Sequence, residues 1–201
     1  MAGRGRALRP PLNTGPRTEA YATLAARVAT GPARLGRTRL VAVDGRGGAG
    51  KTTFAGRLAA ALGGAPVAHT DDVANRVGHP WWPTLEDLVL RPLGACTPWT
   101  DPRSGVRLPV PPVLILEGVS ASRRTVTDRL TLAVWLHVPA AARVARGIDR
   151  DGSGSTADWP RYEAEEDQFF SADPVWARAD LVVDGVPGLS HDPETEYVRL
   201  R

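Results

Sequence analysis

The sequence predicts an α/β domain in which helices cover both faces of a parallel sheet. Short apolar segments rich in β-branched residues alternate with segments of helical periodicity along most of the chain. The apolar segments have almost no polar positions, as expected for strands that are buried on both faces. The length of 201 residues suffices for one good core but not for two ordinary domains, so we expect a single domain.

The elements follow from local patterns along the chain. Residues 1–17 combine Gly, Pro and Arg with little apolar content, which predicts a disordered basic tail. Apolar residues then recur at helical spacing over 18–30, which predicts an N-terminal helix that the Gly31-Pro32 pair ends. The domain is expected over 18–201, with strands at 40–43, 67–69, 113–116, 132–138 and 181–183 and helices at 54–62, 85–90, 122–130, 140–148 and 162–170.

Composition excludes several classes of site. The one cysteine, Cys96, cannot form an internal disulfide, and the four histidines are too scattered for a structural zinc site. No apolar stretch approaches the roughly 18 to 20 residues of a membrane span, and the N-terminus lacks the apolar core of a signal peptide. The formal net charge is only +3, and much of the basicity lies in the tail. We therefore expect a cytoplasmic protein with neither nucleic acid nor a membrane as partner.

A glycine-rich segment directly follows the strand predicted at 40–43. Residues 45–52 match G-x-x-x-x-G-K-[ST], the loop whose backbone N–H groups surround a phosphate chain. Its Lys51 is the only lysine among 25 basic residues. In this motif the lysine reaches the β and γ phosphates, and the hydroxyl at Thr52 binds Mg²⁺. The alternative is a glycine-rich turn that precedes a helix by chance. The predicted nucleotide contacts are Gly45, Gly47, Gly48, Ala49, Gly50, Lys51, Thr52 and Thr53.

Acidic residues follow two of the predicted strands. Glu117 ends the apolar run 113–116, so it is the candidate Walker B carboxylate that holds Mg²⁺ together with Thr52, unless it simply faces solvent. Asp71 and Asp72 come just after the strand at 67–69. We prefer Asp71, beside Mg²⁺, as the base that accepts the proton of an attacking hydroxyl, with Asp72 as the alternative. Whichever of them is not the base is expected to cap the next helix.

Three arginines share one face of the helix predicted from 140 onward. Arg143, Arg146 and Arg150 are spaced i, i+3 and i+7, and the Gly- and Ser-rich stretch 151–156 follows. This pattern predicts a lid, because arginines there stabilise the charge of the transferring phosphoryl group and a flexible stretch lets the site exclude water. The alternative is a solvated helix face in a chain whose default cation is Arg.

Together these motifs resemble the uridine kinase family and its relatives phosphoribulokinase and bacterial pantothenate kinase, over roughly residues 38–185. The segments that carry the resemblance are 44–53, 69–72, 116–118, 143–151 and 179–183. The resemblance implies a P-loop fold with a five-stranded parallel sheet of the nucleoside-monophosphate-kinase type and ATP-Mg²⁺ as donor. It also implies that Asp71 is the base and that the run from Arg143 to Asp151 is the lid element.

The chain departs from that family where the acceptor would bind. Uridine kinases typically follow the catalytic Asp with Ser-Phe-Tyr, whereas Asp71 is followed here by Asp72-Val73-Ala74. Their nucleoside pocket uses a Tyr and a His before the Walker B strand, where this chain has 98–103 without a His. The candidate acceptor contacts are Asp72, Trp99, Asp101 and Arg103, and core or lid packing is the alternative for Trp81, Trp82 and Trp99.

We therefore expect an ATP-dependent kinase that transfers the γ-phosphoryl group to an acceptor hydroxyl, such as that of a nucleoside like uridine. One alternative is a kinase for another metabolite or for an antibiotic alcohol, and another is an ATP-binding switch protein without small-molecule kinase activity. A GTPase of the usual form is excluded, because no lysine remains for its guanine-reading element. The oligomeric state stays open, with a homodimer as one alternative.

Overall fold

The computed structural model describes residues 15–74, 81–151 and 159–201. Its strands are β1 (Arg17–Ala20), β2 (Arg39–Gly45), β3 (Val67–His69), β4 (Trp99–Thr100), β5 (Arg107–Leu108), β6 (Val113–Glu117), β7 (Leu130–His137), β8 (Leu181–Asp184) and β9 (Glu196–Arg199). In this part of the chain, seven strands form one sheet in the order β1-β9-β8-β7-β2-β6-β3, and β4 and β5 form a separate hairpin.

Five adjacent strands form the parallel part of the sheet. β8, β7, β2, β6 and β3 pair in parallel, which confirms the predicted parallel sheet. The sheet to which they belong has seven strands, however, rather than the five that the resemblance implies. β2 and β6 are buried along nearly their whole length, as strands covered on both faces must be. Successive residues of β2 point to opposite faces, so Val41 and Val43 join one core while Leu40 and Ala42 join the other.

Two antiparallel strands extend one edge of this sheet, and the sequence analysis missed both. β9 pairs with β8, and β1 pairs with β9. β1 takes up Thr18 to Ala20, so the first helix begins at Tyr21, three residues later than predicted. Arg17 also belongs to β1, which therefore starts inside the stretch predicted as a tail, and residues 1–14 of that stretch lie outside the described residues. Because β1 has no apolar run, its pairing with β9 is what makes it a strand.

The helices cover the two faces of the sheet. They are α1 (Tyr21–Thr30), α2 (Lys51–Ala61), α3 (Asp71–Ala74), α4 (Trp81–Leu85), α5 (Arg91–Gly94), α6 (Ala140–Asp151), α7 (Trp159–Ala172) and α8 (Val175–Arg178). A π-helical segment, Glu86–Leu90, joins α4 to α5, so the helix predicted at 85–90 is part of a longer run. The helix predicted at 122–130 is a 3₁₀ helix over Arg124–Arg129. Beyond Asp151, the Gly- and Ser-rich stretch of the predicted lid lies outside the described residues.

Apolar side chains pack on both faces of the sheet. On one face α1 and α2 contribute Leu24, Phe54 and Leu58, which lie against β2, β7 and β8. On the other face the run from α4 to α5 packs against β2 and β6, and Phe170 of α7 packs with Trp135 beside it. The parallel strands are therefore held rigidly between two layers, with their carboxyl ends free to carry a site. None of the helices described is both long enough and apolar enough to span a membrane.

Candidate functional site

The candidate site lies at the edge of the sheet where the carboxyl ends of the parallel strands meet. There β2 leads into the glycine-rich loop, β6 ends at Glu117, and β3 is followed within two residues by Asp71. His69 and Glu117 are partners in the register of β3 and β6, so the two acidic segments lie side by side. α6 follows β7 at the same edge, and Gly185 follows β8. The topology thus brings the predicted motifs together.

The glycine-rich loop connects β2 to the N-terminus of α2. Its backbone has φ of +73° at Gly48 and +87° at Gly50, a conformation that L side chains rarely adopt. Gly48 also lacks room for a side chain, because a Cβ there would lie 2.3 Å from the carbonyl oxygen of Arg143. Lys51 is 9% exposed, and its ammonium donates to the carbonyl of Arg46 at 3.1 Å. The loop therefore folds back over the one lysine of the chain.

Asp44, the last residue before the loop, is buried and joins the loop to the segment after β6. One carboxylate oxygen accepts the N–H groups of Gly45 at 2.8 Å and Ser120 at 3.0 Å. The other accepts the N–H of Ser122 at 2.9 Å and its hydroxyl at 2.8 Å. Burial raises the pKa of Asp44, although the hydrogen bonds and the charge of Lys51 oppose that rise. Asp44 thus fixes the spacing of two loops of the site.

Thr52 and Glu117 meet at the mouth of the loop. The Thr52 hydroxyl donates to Oε1 of Glu117 at 2.5 Å, and Nδ1 of His69 lies 3.3 Å from Oε2. Burial alone would raise the pKa of Glu117, but the hydrogen bonds from His69 and Thr52 and the charge of Lys51 outweigh it, so the pKa is lowered. The hydrogen bond with Glu117 in turn raises the pKa of His69.

A hydroxyl beside an ionised carboxylate fits Mg²⁺, which takes few protein ligands and completes its shell with phosphate oxygens and water. Within the described residues, three or more His, Cys, Asp or Glu side chains do not converge on any one point as metal ligands would. Thr52 and Glu117 together offer the few oxygen ligands that such an ion takes from a protein.

Asp71 and Asp72 begin α3, and their surroundings differ. Asp71 is exposed, whereas Asp72 is partly buried and accepts the Nε of Arg103 with both oxygens, at 3.2 and 3.3 Å. Arg103 lies in the loop of the β4-β5 hairpin, so this pair ties the hairpin to the carboxyl end of β3. Asp101 shapes the same loop, because it accepts the hydroxyl of Ser104 at 2.6 Å and the N–H of Arg103 at 3.2 Å.

The tryptophans named as candidates lie in packing positions. Trp99 is 1% exposed and belongs to the core under α4 and α5, which is the packing alternative for this residue. Trp81 and Trp82 are partly exposed, and the guanidinium of Arg123 lies over both rings, 4.9 and 4.3 Å from their centroids. A ring of Phe169 completes this stack at 5.5 Å from the same guanidinium. These contacts connect α4 to α7.

α6 places its three predicted lid arginines in three different environments. Arg143 is 4% exposed, and its Nη1 donates to the carbonyl of Gly47 at 3.3 Å. Arg146 is exposed and donates to the carbonyl of Gly185 at 2.7 Å. Arg150 is exposed one turn further along the helix. Arg143 and Arg146 therefore contact loops at the mouth of the site.

The sequence analysis missed a carboxylate of α7 that lies against the loop. Oε1 of Glu166 accepts the N–H of Gly47 at 2.6 Å, and Oε2 lies 3.7 Å from Nη1 of both Arg46 and Arg143. Burial raises the pKa of Glu166, against the opposing effects of the Gly47 hydrogen bond and of Lys51 and the two arginines. Glu166 belongs to the acidic run 163–167, and such a run in a helix is typical of a solvated face, so the sequence offered no signal for this contact.

A cavity of about 380 Å³ opens beside the first turn of α2. Residues that line it include Gly50, Thr53, Arg146, Asp184, Gly185 and Tyr197. Behind it the rings of Tyr21, Phe54 and Tyr197 pack with centroids 5.3 to 5.5 Å apart. Because Gly50 belongs to the loop and also lines the cavity, a ligand held by the loop can extend into this space.

Comparison with known protein families finds no match, and comparison with curated proteins finds none either. Among solved structures, the chain is similar to a possible uridine kinase from Bacillus stearothermophilus, with a TM-score of 0.51, 21% identity and coverage of 81% of this chain and 96% of that one. It is also similar to a putative fructose transport system kinase from Silicibacter sp. TM1040, with a TM-score of 0.49, 23% identity and coverage of 81% and 98%. For a shikimate kinase from Acinetobacter baumannii in complex with shikimate, the TM-score is 0.47, the identity 15% and the coverage 85% and 90%. The first of these likenesses, together with the strand order and the loop, shows that the chain has the fold of a P-loop kinase.

Proposed function

We propose that this protein is an ATP-dependent kinase that transfers the γ-phosphoryl group of ATP to a hydroxyl of a small molecule. The contact between Thr52 and Glu117 carries this proposal. It joins the end of the phosphate-binding loop to the carboxylate on the neighbouring strand, the pair that Mg²⁺ on a nucleotide requires. A glycine-rich turn without function has no need for a buried lysine inside it and a buried carboxylate at its end.

The donor fits the loop and the cavity beside it. The phosphate chain lies along the N–H groups of the loop and the N-terminus of α2, where the helix dipole favours negative charge. The nucleoside extends past Gly50 and Thr53 into the cavity of about 380 Å³. Arg146 stands between the two parts of the ligand, since it lines the cavity and its Nη1 lies 3.9 Å from where a Cβ on Gly50 would be.

The residues around the loop divide the work of transfer. Thr52 and Glu117 would hold Mg²⁺, which would supply positive charge to neutralise the phosphate chain. Lys51 stabilises the negative charge of the phosphoryl group in transfer, and Arg146 stabilises that of the phosphate chain beside the nucleoside. Asp71 accepts the proton of the acceptor hydroxyl while that oxygen bonds to the γ phosphorus and the bond to the β–γ bridging oxygen breaks. Asp72 is held by Arg103, so it orients the hairpin beside the acceptor.

The acceptor is an alcohol, and a nucleoside such as uridine is the first to test. The reason is the shared fold with a protein described as a possible uridine kinase. The acceptor lies between Asp71 and the β4-β5 hairpin, because Asp71 follows β3 at the edge of the sheet that carries the loop, and its neighbour Asp72 pairs with Arg103 of the hairpin. There the exposed Arg103 offers a positive charge and Asp72 a negative one, so the surroundings favour a polar acceptor.

The test measures ATP consumption with and without a panel of nucleosides, sugars and other alcohols. We expect turnover only when an acceptor is present, together with a phosphorylated product detected by mass spectrometry. Hydrolysis at the same rate without any acceptor would instead indicate an ATP-binding switch protein, the alternative function.

Two matched variants assign the base. Asp71→Asn should leave ATP binding nearly unchanged and lower kcat by about 10² to 10⁴, the usual contribution of a general base. Asp72→Asn removes the same charge from the neighbouring residue and breaks the pair with Arg103, so it should raise the acceptor KM more than it lowers kcat. The opposite pattern would make Asp72 the base.

A further inference from the structure

The carboxylate of Glu166 accepts a backbone hydrogen bond of the loop that would otherwise be available to a bound anion. Backbone N–H groups of a phosphate-binding loop normally point at phosphate oxygens. Here the N–H of Gly47 donates instead to Oε1 of Glu166, at 2.6 Å. The side chain of Glu166 is only 12% exposed, and its second oxygen is buried without a hydrogen-bond partner, although two arginines lie 3.7 Å away. A buried carboxylate oxygen without a hydrogen-bond partner costs free energy, so this contact is weaker than a fully satisfied one and is easier to displace.

The position of Lys51 indicates which phosphate of a nucleotide would bind at the N–H of Gly47. The lysine of the motif reaches the β and γ phosphates. Its ammonium here bonds to the carbonyl of Arg46, the residue before Gly47, so the N–H of Gly47 lies on the γ side of the loop. The positive charges that surround Glu166 are those of Lys51, Arg46 and Arg143, which are the charges that a terminal phosphate needs.

The carboxylate of Glu166 and a γ phosphate cannot both bind at the N–H of Gly47. A carboxylate and a γ phosphate within hydrogen-bond distance of the same N–H would repel one another strongly in a partly buried site. We propose that, without nucleotide, the carboxylate of Glu166 occupies the position in the loop where the γ phosphate of ATP would bind. Binding of ATP displaces this carboxylate and moves the face of α7 that contacts the loop. This inference rests on the proposed nucleotide binding. It adds that the carboxylate of Glu166 competes with the terminal phosphate of ATP, and with no other part of the nucleotide.

α7 is suited to such an exchange. Glu163, Glu166 and Asp167 lie on one face of the helix, where Glu163 pairs with Arg143 at 3.1 Å and Asp167 with Arg46 at 2.5 Å. A second cavity, of about 550 Å³, is lined by Glu163, Asp167 and both arginines. The neighbours of Glu166 on α7 therefore border open space, and this face of the helix can shift towards it. The two arginines then become available to the phosphate.

The test compares the affinities of AMP, ADP and ATP for the unaltered chain, for Glu166→Gln and for Glu165→Gln. Glu165 is exposed on the same helix and pairs with Arg161 one turn away at 3.3 Å, so its variant removes the same charge without touching the loop. We expect Glu166→Gln to tighten ATP about tenfold, the worth of a charged hydrogen bond, to tighten ADP less and to leave AMP unchanged. Glu165→Gln should behave as the unaltered chain for all three.

A variant with a shorter side chain and amide hydrogen exchange test the displacement of Glu166 independently. Glu166→Asp keeps the charge but shortens the side chain, so it should tighten ATP in the same direction even where the glutamine variant folds poorly. In the unaltered chain, ATP but not AMP should increase amide hydrogen exchange around Glu166. An unchanged ratio of ATP to AMP affinity in both variants, or weaker ATP binding, overturns the inference while leaving nucleotide binding in place. Failure of ATP to bind to any of these proteins overturns the proposed function as well.

Discussion

Lys51 is the one lysine of the chain, and its environment explains why arginine does not replace it. The ammonium is buried within the loop and donates to the carbonyl of Arg46 at 3.1 Å. A planar guanidinium is larger and directs its donors in a fixed fork, so it does not fit between that carbonyl and a phosphate. We expect Lys51→Arg to lower kcat at least a hundredfold (about 10² or more), the usual loss when one electrostatic contact to the transition state is removed.

Steady-state phosphorylation of the identified acceptor is the measurement, with Arg161→Lys as the control. Arg161 lies on α7 with its side chain 60% exposed, and the reverse exchange of cations there should leave kcat unchanged. Full activity of Lys51→Arg would show that the single lysine reflects only the arginine-rich composition of the chain.

Glu86 carries a charge whose effect on stability depends on pH. Its carboxylate accepts two hydrogen bonds from the guanidinium of Arg129, at 2.6 and 2.9 Å. They join the π-helical segment to the 3₁₀ helix. This contact lowers the pKa of Glu86 below its ordinary value of 4.5, against the opposing effect of burial. The stabilisation is therefore complete above that value and is lost as the pH falls through the lower pKa of the folded state.

We expect Glu86→Gln to reduce the free energy of unfolding by a constant amount near neutral pH and by progressively less below about pH 4.5. Urea unfolding across a pH series measures this difference. Asp87→Asn removes an exposed carboxylate beside it and should show little effect at any pH. A Glu86→Gln difference that stays constant down to pH 2 would contradict the assignment.

At the scale of single residues, the sequence predicted those site positions that a motif fixes. Lys51, Thr52 and Glu117 stand at set places relative to an apolar strand, so their meeting was predictable. Glu166 was not, because its contact with Gly47 depends on the angle at which α7 packs on the loop, and local sequence does not encode that angle. Asp44 carried a weak signal, an acid at the end of a buried strand, that was not assigned a role.

At the scale of elements, the contact between α6 and α7 depends on a glycine. A Cβ on Gly147 of α6 would lie 1.6 Å from the ring of Trp159, which is buried at the start of α7. The same ring lies 3.6 Å from where a Cβ on Gly47 would be, so it packs against α6 and the loop together. We expect Gly147→Ala to displace the ring and to destabilise the protein by about 1 to 3 kcal/mol, the usual result of overpacking.

Chemical unfolding measures this loss, and Gly56→Ala is the matched control. Gly56 is also a helical glycine, in α2, but nothing lies within 4 Å of a Cβ there. Alanine at that position should raise the free energy of unfolding by about 1 kcal/mol through its better helix propensity. Equal effects of the two substitutions would mean that Trp159 does not pack as described.

The elements that the sequence predicted correctly are those with a strong apolar pattern. β2, β6, β7 and β8 are continuous apolar runs, and α1 and α2 repeat with helical spacing, so each was found within a few residues. β1 and β9 were missed because each is short, lies at or near the sheet edge and has mixed polarity. The pairing of β9 with β8 and of β1 with β9 defines them, and no local pattern does. The 3₁₀ helix over 124–129 was predicted as an ordinary helix, because side chains three residues apart lie on one face in both kinds of helix.

At the scale of the whole molecule, three aromatic rings join distant parts of the chain. Tyr21 from α1, Phe54 from α2 and Tyr197 from β9 pack together, and Tyr197 is 3% exposed. We expect Tyr197→Ala to lower the free energy of unfolding by about 3 kcal/mol or more, the usual loss when a buried aromatic ring is removed. Thermal or chemical unfolding measures it. Tyr162→Ala, at a position 48% exposed, should change stability by less than about 0.5 kcal/mol, and a similar loss in both would contradict the packing.

The pairing of β1 with β9 also sets an order of folding. On the ribosome β1 is made before the other described strands, but β9, with which it pairs from Arg17↔Arg199 to Ala20↔Glu196, is made after all of them. Four of the five parallel strands and the glycine-rich loop are complete by residue 137, whereas β8 directly precedes β9. Because pairings between distant segments carry the largest loop-closure entropy, β1 should pair with β9 in the last step, after β8 and β9 have joined those four strands. Tyr197 arrives with β9, so the wall of the cavity beside α2 closes only then, and a nascent chain completes its glycine-rich loop before it completes the cavity beside that loop.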